Sequence, residues 1–262
     1  EHHPEWAGFS GGSVPLTHNM LSEVEAEMYA AAIRRNLESH PWLKVLDQCL
    51  VVRRAAYFKC GGIEAKFGHF AEWLLAARLH LQGMVMGHEP AAVIHHYYIG
   101  EFDDVMTFTE DFARGQMRMA MAGESDPSAG MFDYPECWED RAGMDRRIAR
   151  KMVRLIWSAG RHVQGDDQWK EWRARLWMWL RRLAGGLTLE WLAACRATRE
   201  LKQETQRSLD LKDRDRAQSC FHKLILSCAR KGHLSMMRER WQTVVVDHFH
   251  HRKLSSRSGQ WL

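Results

Sequence analysis

The residues whose spacing most resembles a catalytic motif lie in the segment Gly8–Gly12, GFSGG. G-x-S-x-G is the spacing of the nucleophile elbow, in which a strained turn between a strand and a helix exposes a serine hydroxyl, here that of Ser10. No strand pattern precedes the segment, and small residues of this kind are equally typical of a flexible coil. We therefore expect an irregular N-terminal segment with no catalytic residue.

The histidines raise the question of a metal or haem site, because the chain has 15 of them. Helical metal sites place their ligands on one helix face, with spacings such as H-E-x-x-H or E-x-x-H, and neither spacing occurs. No C-x-x-C pair indicates a zinc site. The two clusters are His88 with His95 and His96, and His248 with His250 and His251. The sequence thus predicts no metal and no cofactor.

The six cysteines are scattered and lack the spacing of a disulfide framework. In a chain of this length, such a distribution is typical of free thiols in a reducing compartment. Cys220 and Cys228 lie eight residues apart with Leu224 between them, which places them near one face of a helix. We expect these side chains to pack in the core.

Helical periodicity predicts most of the elements that carry these residues. Ser22 and Glu25 have the spacing of a capping box at the start of a helix. Apolar residues from Phe67 to Met84 recur every three or four positions, which indicates one long helix. Residues 187–231 contain neither Gly nor Pro, so they form either one helix of about 67 Å or two helices whose break is not marked.

Strand patterns are nearly absent from the sequence. Pro90 is well placed to begin a short helix that ends at Tyr98, and the one strand-like piece, TVVVDHF, lies in a helical context. Residues 1–20 lack helical periodicity and contain three glycines. The predicted fold class is therefore all-α, a multi-helix bundle in one or two helical lobes with an extended N-terminal arm.

Charge divides the chain into two halves. Residues 1–135 hold 10 Lys and Arg against 18 Asp and Glu, whereas residues 136–262 hold 27 against 15. All the prolines lie at or before Pro135, and the residues preceding it are rich in turn formers. The predicted organisation is an extended arm at 1–20, an acidic helical lobe at 21–121, a connecting loop at 122–135 and a basic helical lobe at 136–262.

The opposite charges of the two halves have two interpretations. The halves can attract each other within the fold, or the basic half can bind an external anion such as RNA, a lipid headgroup or an acidic subunit. The stretch WKEWRARLWMWLRRL, from Trp169 to Leu183, bears on this choice. On a helix, most of its aromatic residues separate from its arginines onto opposite faces, which favours a buried or interface seam with a solvated basic face. Nucleic-acid stacking platforms instead need aromatic rings beside the basic groups.

These observations favour a protein that acts through contacts with other proteins. The predicted interface residues are aromatic residues of the arm and of the Trp-rich helix together with two arginines: Trp6, Phe9, Trp169, Trp172, Trp177, Trp179, Arg181 and Arg182. Large aromatics and Arg are enriched in interfaces. The function predicted is that of a non-catalytic accessory or scaffold subunit of a large multi-protein assembly, with other subunits as its partners.

Two other functions stay open at this point. One is a ribonucleoprotein subunit that binds RNA through residues 136–262, and the other is a helical metal or haem enzyme. No apolar run reaches the roughly 18 residues of a membrane span, so no transmembrane segment and little membrane-surface contact are expected. The basic pI of 8.8 and the N-terminal Glu1 suggest an intracellular, organellar location such as the mitochondrion.

Overall fold

A computed structural model of the chain describes residues 3–40, 42–43, 49–134 and 166–255. Within these ranges, the side chains of residues 37, 124, 166–170, 172–188 and 241–255 lie outside the description. The chain divides into two compact units, one made of Glu1–Met131 with Trp191–Met236 and the other of Phe132–Glu190 with Met237–Leu262. The contacts reported below belong to the first unit.

The described elements alternate between strands and helices in the N-terminal half and are helical in the C-terminal half. In chain order they are β1 (Trp6–Leu16), α1 (Met20–Ser39), β2 (Leu50–Val52), α2 (Arg54–Lys59), a 3-10 helix (Ala65–Phe70), α3 (Ala71–Leu81), β3 (Val85–Tyr97), α4 (Phe102–Ala122), two 3-10 turns (Gly123–Ser125 and Pro127–Met131), α5 (Asp166–Asp210) and α6 (Arg214–Ser255).

The fold is mixed α/β, so the predicted all-α bundle is wrong. Three strands form a mixed sheet in the order β2-β1-β3, in which β1 is antiparallel to β2 and parallel to β3. The expectation that the N-terminal segment is irregular is also wrong, because its residues 6–16 form the central strand. The predicted helix from Pro90 to Tyr98 coincides with most of β3. The composition of this N-terminal segment does not predict an ordered structure. Hydrogen bonds to two neighbouring strands order it instead.

Close backbone approach explains why glycine is required in the central strand. A Cβ atom added at Gly8 would lie 2.2 Å from the carbonyl oxygen of Val51 on β2, which is far inside van der Waals contact. Glycine therefore lets β2 approach β1. One side of the sheet then packs against α3, in a core that contains Ala7, Leu75, Leu79 and Met86.

A second core joins α1 and α4 to the C-terminal helices. Val24, Phe102, Phe221, Leu224 and Cys228 are buried together there. The predicted burial of the cysteines on α6 is confirmed, since Cys220 and Cys228 are both buried thiols. Burial, with Glu110 nearby, raises the pKa of the Cys228 thiol to about 11, so it is protonated at neutral pH.

The break that the sequence left unplaced between residues 187 and 231 falls at residues 211–213. Lys212 there has a φ of 54°, the left-handed conformation that ends a helix. Asp213 then caps the start of α6, because its carboxylate oxygen accepts a hydrogen bond of 3.1 Å from the backbone N–H of Arg216. The result is a helical hairpin, in which Trp191 Nε1 of α5 donates a hydrogen bond of 2.9 Å to the Ser235 hydroxyl of α6.

Charged residues of the two sequence halves pair directly within the first unit. Lys202 lies 2.6 Å from Asp103, and Arg214 lies 2.6 Å from Glu27. Lys231 of α6 also forms an ion pair with Glu110 of α4. The unit as a whole holds 20 basic and 22 acidic side chains, a net charge of −2. In this part of the chain, the acidic half thus neutralises the basic half.

Candidate interaction surface

A register shift divides the β1–β3 pair into an inner and an outer part. Gly11 pairs with Glu89, but the next residue, Gly12, pairs with Val93, so β3 holds three extra residues at 90–92. On the inner side of this bulge, β1 also pairs with β2 at Gly8–Ser10. On the outer side, the pairing partner that the described residues give to residues 12–16 of β1 is the segment 93–97 of β3. We call these two segments the outer ribbon.

The bulge has a clear origin in the sequence. Pro90 has no backbone N–H and cannot donate to a strand ladder. The backbone N–H of Ala91 instead bonds to the side chain of Glu89 at 3.0 Å. The chain then returns so close to β1 that a Cβ atom at Gly11 would lie 1.9 Å from the Ala92 carbonyl oxygen. Only glycine tolerates this approach, which fixes where the outer ribbon begins.

One face of the outer ribbon is apolar and exposed. Paired residues of neighbouring strands point to the same face, so Val14, Leu16, Val93 and Tyr97 share one face with His95 between them. Val14 is 43%, Leu16 45%, Val93 48% and Tyr97 58% exposed. We call these four residues the apolar face. Parallel strands are normally covered on both faces, so an open apolar face of this kind is unusual.

The outer ribbon also carries no formal charge. Its segments read GSVPL and VIHHY and contain no Asp, Glu, Lys or Arg, although 27% of the whole chain consists of these residues. A strand pair that is both exposed and uncharged lacks the feature that usually keeps such surfaces solvated. Apolar exposed patches of this kind mark sites of contact with other molecules.

The outer end of the ribbon is firmly held by the start of α1. Tyr98 is buried, and its backbone N–H donates a hydrogen bond of 3.1 Å to the Leu16 carbonyl oxygen. The His18 ring stacks on the Tyr97 ring with centroids 5.1 Å apart. The α1 N-cap, Asn19, accepts a hydrogen bond of 2.7 Å from the backbone N–H of Ser22. The apolar face is therefore presented on a fixed framework.

A partly buried carboxylate lies beside this framework. The backbone N–H of Gly100, just beyond β3, donates a hydrogen bond of 3.3 Å to Glu25 of α1. Burial raises the pKa of Glu25, and the bond from Gly100 opposes that rise. The contact ties the end of β3 to α1 in addition to the cap.

The serine of the G-x-S-x-G segment lies within β1 and not on a strand-to-helix turn. Ser10 is fully buried, and its hydroxyl oxygen lies 3.4 Å from Nδ1 of the exposed His88 on β3. A nucleophile elbow needs an exposed hydroxyl on a sharp turn. The geometry around Ser10 therefore does not match that motif, and the Ser10–His88 contact joins two adjacent strands.

Two of the predicted interface residues belong to the inner part of β1. Trp6 is half-buried, stacks on His3 with ring centroids 3.8 Å apart, and lies against Gly87, where a Cβ atom would be 2.2 Å from the indole. Phe9 is also half-buried and pairs with Val51 of β2, which is exposed. The Trp6 ring thus already has contacts within the chain, and neither residue belongs to the apolar face.

The other residues predicted to form an interface have side chains outside the described part of the chain. The backbone of α5 carries Trp169, Trp172, Trp177, Trp179, Arg181 and Arg182, and their side chains lie outside the described residues. The same holds for His248, His250 and His251 on α6. His95 and His96 lie on β3 and not on the predicted helix. Across the described ranges, no group of three or more His, Cys, Asp or Glu side chains is arranged to hold a metal ion.

The residues of the apolar face were missed by reasoning from the sequence. Val14 and Leu16 lie two positions apart and Val93 and Tyr97 lie four apart, both of which place the pair on one face of a strand, and β-branched and aromatic residues favour strands. This signal is short, because Pro15 lies within it on β1 and because it begins on β3 only after the bulge at 90–92. A search for period-two alternation on each side of a bulge could have found it.

Comparison of the chain with protein-family models, with curated proteins and with solved structures found no match. No helix in the described ranges has an apolar stretch long enough for a membrane crossing.

Proposed function

We propose that this protein is a non-catalytic accessory or scaffold subunit of a larger multi-protein assembly and that it acts through protein–protein contacts. The observation that carries the proposal is the apolar face, an exposed and uncharged sheet surface held on a fixed framework. Burying such a face contributes about 25 cal/mol per Å² of apolar area, which favours a partner that covers it. Tyr97 at its outer end is of a residue type that often dominates interface energetics.

The pairing of charges within the first unit supports a protein partner over a nucleic-acid partner for this part of the chain. Lys202, Arg214 and Lys231 bind carboxylates of the acidic half. Cations that are already neutralised within the chain release fewer counterions when they meet a phosphate backbone.

RNA binding through residues 136–262 is the second candidate, and one observation favours it. The second unit, residues 132–190 with 237–262, holds 17 basic and 11 acidic side chains, a net charge of +6. A filter-binding titration of the full chain at about 0.15 M salt separates the candidates, because specific RNA binders stay tight under these conditions. Sub-micromolar, saturable binding to a defined RNA would favour the ribonucleoprotein subunit.

The location of the protein in an organelle such as the mitochondrion is a further part of the proposal, and it rests on the basic composition. Cell fractionation with an antibody to the chain tests it. Recovery of the protein in the cytosolic fraction alone would remove this part and leave the proposed role in an assembly intact.

The proposed role is tested by native purification of the tagged full-length chain from its source cells, followed by native mass spectrometry. We expect partner proteins at fixed stoichiometry. The double variant Leu16→Ser/Tyr97→Ser should lose them, because it removes half of the apolar face. The matched control is Phe58→Ser/Leu81→Ser, which changes two comparably exposed apolar residues elsewhere. Equal recovery of partners with both variants would contradict the proposal.

A further inference from the structure

We draw no further inference here: the strongest candidate, the exposed apolar face that Val14, Leu16, Val93 and Tyr97 form on the outer ribbon, belongs to the surface that already carries the proposed function, and nothing in the described part of the chain shows what covers it.

Discussion

The packing of α6 on α4 should be sensitive to acid because of one buried histidine. His233 on α6 is buried, and its Nε2 lies 3.0 Å from the amide oxygen of Gln116 on α4. An amide oxygen accepts hydrogen bonds, so the assignment that fits is a neutral ring with the proton on Nε2. Burial lowers the pKa of His233 from 6.5 to about 4. Next to it, the backbone of Gly232 approaches α4 so closely that a Cβ atom would lie 2.8 Å from the Glu110 carbonyl oxygen.

The sign of the pH dependence follows from which state binds the proton. At pH 7 the ring is largely neutral in both states, so the histidine contributes little to the pH dependence. As pH falls from 6.5 towards 4, the unfolded chain binds a proton and the folded chain does not, so stability is lost over this window. At pH 5, which is about 1.5 units below the unfolded pKa, the loss is about 2 kcal/mol at roughly 1.4 kcal/mol per unit.

Urea unfolding at pH 7 and pH 5 measures this loss in the natural chain and in His233→Gln. Glutamine does not titrate, so the variant should lose about 2 kcal/mol less than the natural chain between the two pH values. Carboxylates that titrate in the same window are common to both proteins and cancel in the comparison. If both proteins lose the same free energy of unfolding, the histidine is not buried in a neutral form and the argument is wrong.

Three further predictions concern stability and are read from urea unfolding midpoints. Gly115→Ala should destabilise by about 2 kcal/mol or more, because the new Cβ would lie 1.9 Å from a backbone carbonyl oxygen of the 3-10 helix before α3, whereas Gly130→Ala has open space and should be near neutral. Leu224→Ala should cost about 2–5 kcal/mol and Leu226→Ala less than about 1, because the first side chain is buried and the second exposed. Arg214→Ala should cost less than about 1 kcal/mol although the arginine lies near two carboxylates, since its side chain is 48% exposed; a cost above 2 kcal/mol would show that these exposed ion pairs act as a cooperative network.

Most of the helices were predictable because their signals are local. Asp103 and Asp104 lie in the first turn of α4, where acidic residues favour a helix start, and Gly61 and Gly62 after α2 have the positive φ that is common at a helix end. A helix after Ser22 was predicted correctly, but its cap was not. Asn19 is the N-cap and Ser22 is the third helical residue, so the capping box lies three residues earlier than predicted. Boundaries depend on single side-chain contacts, which periodicity does not resolve.

The strands could not be predicted because their order comes from distant partners. β1 reads as coil since glycines fill it, and those glycines are needed for contacts with Val51 and Ala92, far away in sequence. β3 reads as a helix because Pro90 resembles a helix start, whereas it belongs to a bulge in the strand. The long apolar period from Phe67 to Met84 was likewise interpreted as one helix. It is interrupted at Gly68, whose φ of 53° is non-helical.

The interface residues predicted from the sequence rest mainly on aromatic content. The apolar face is instead identified by the solvent exposure of its side chains in the structure. Trp6 already lies against the sheet of its own chain. The side chains of the apolar face are mostly aliphatic and become recognisable only when β1 and β3 are paired. The prediction for the Trp-rich part of α5 stays a prediction, because those side chains lie outside the described residues.

The most direct test of the central claim is amide hydrogen exchange of the outer ribbon, measured in the purified assembly and in the isolated chain. We expect amides of residues 93–97 to exchange at least about tenfold more slowly in the assembly, because a partner that covers the apolar face excludes water from the strands. Peptides from α3, which is already buried in the core, should be unchanged. Equal exchange of residues 93–97 in the two states would contradict the claim that this face is where the protein meets its partners.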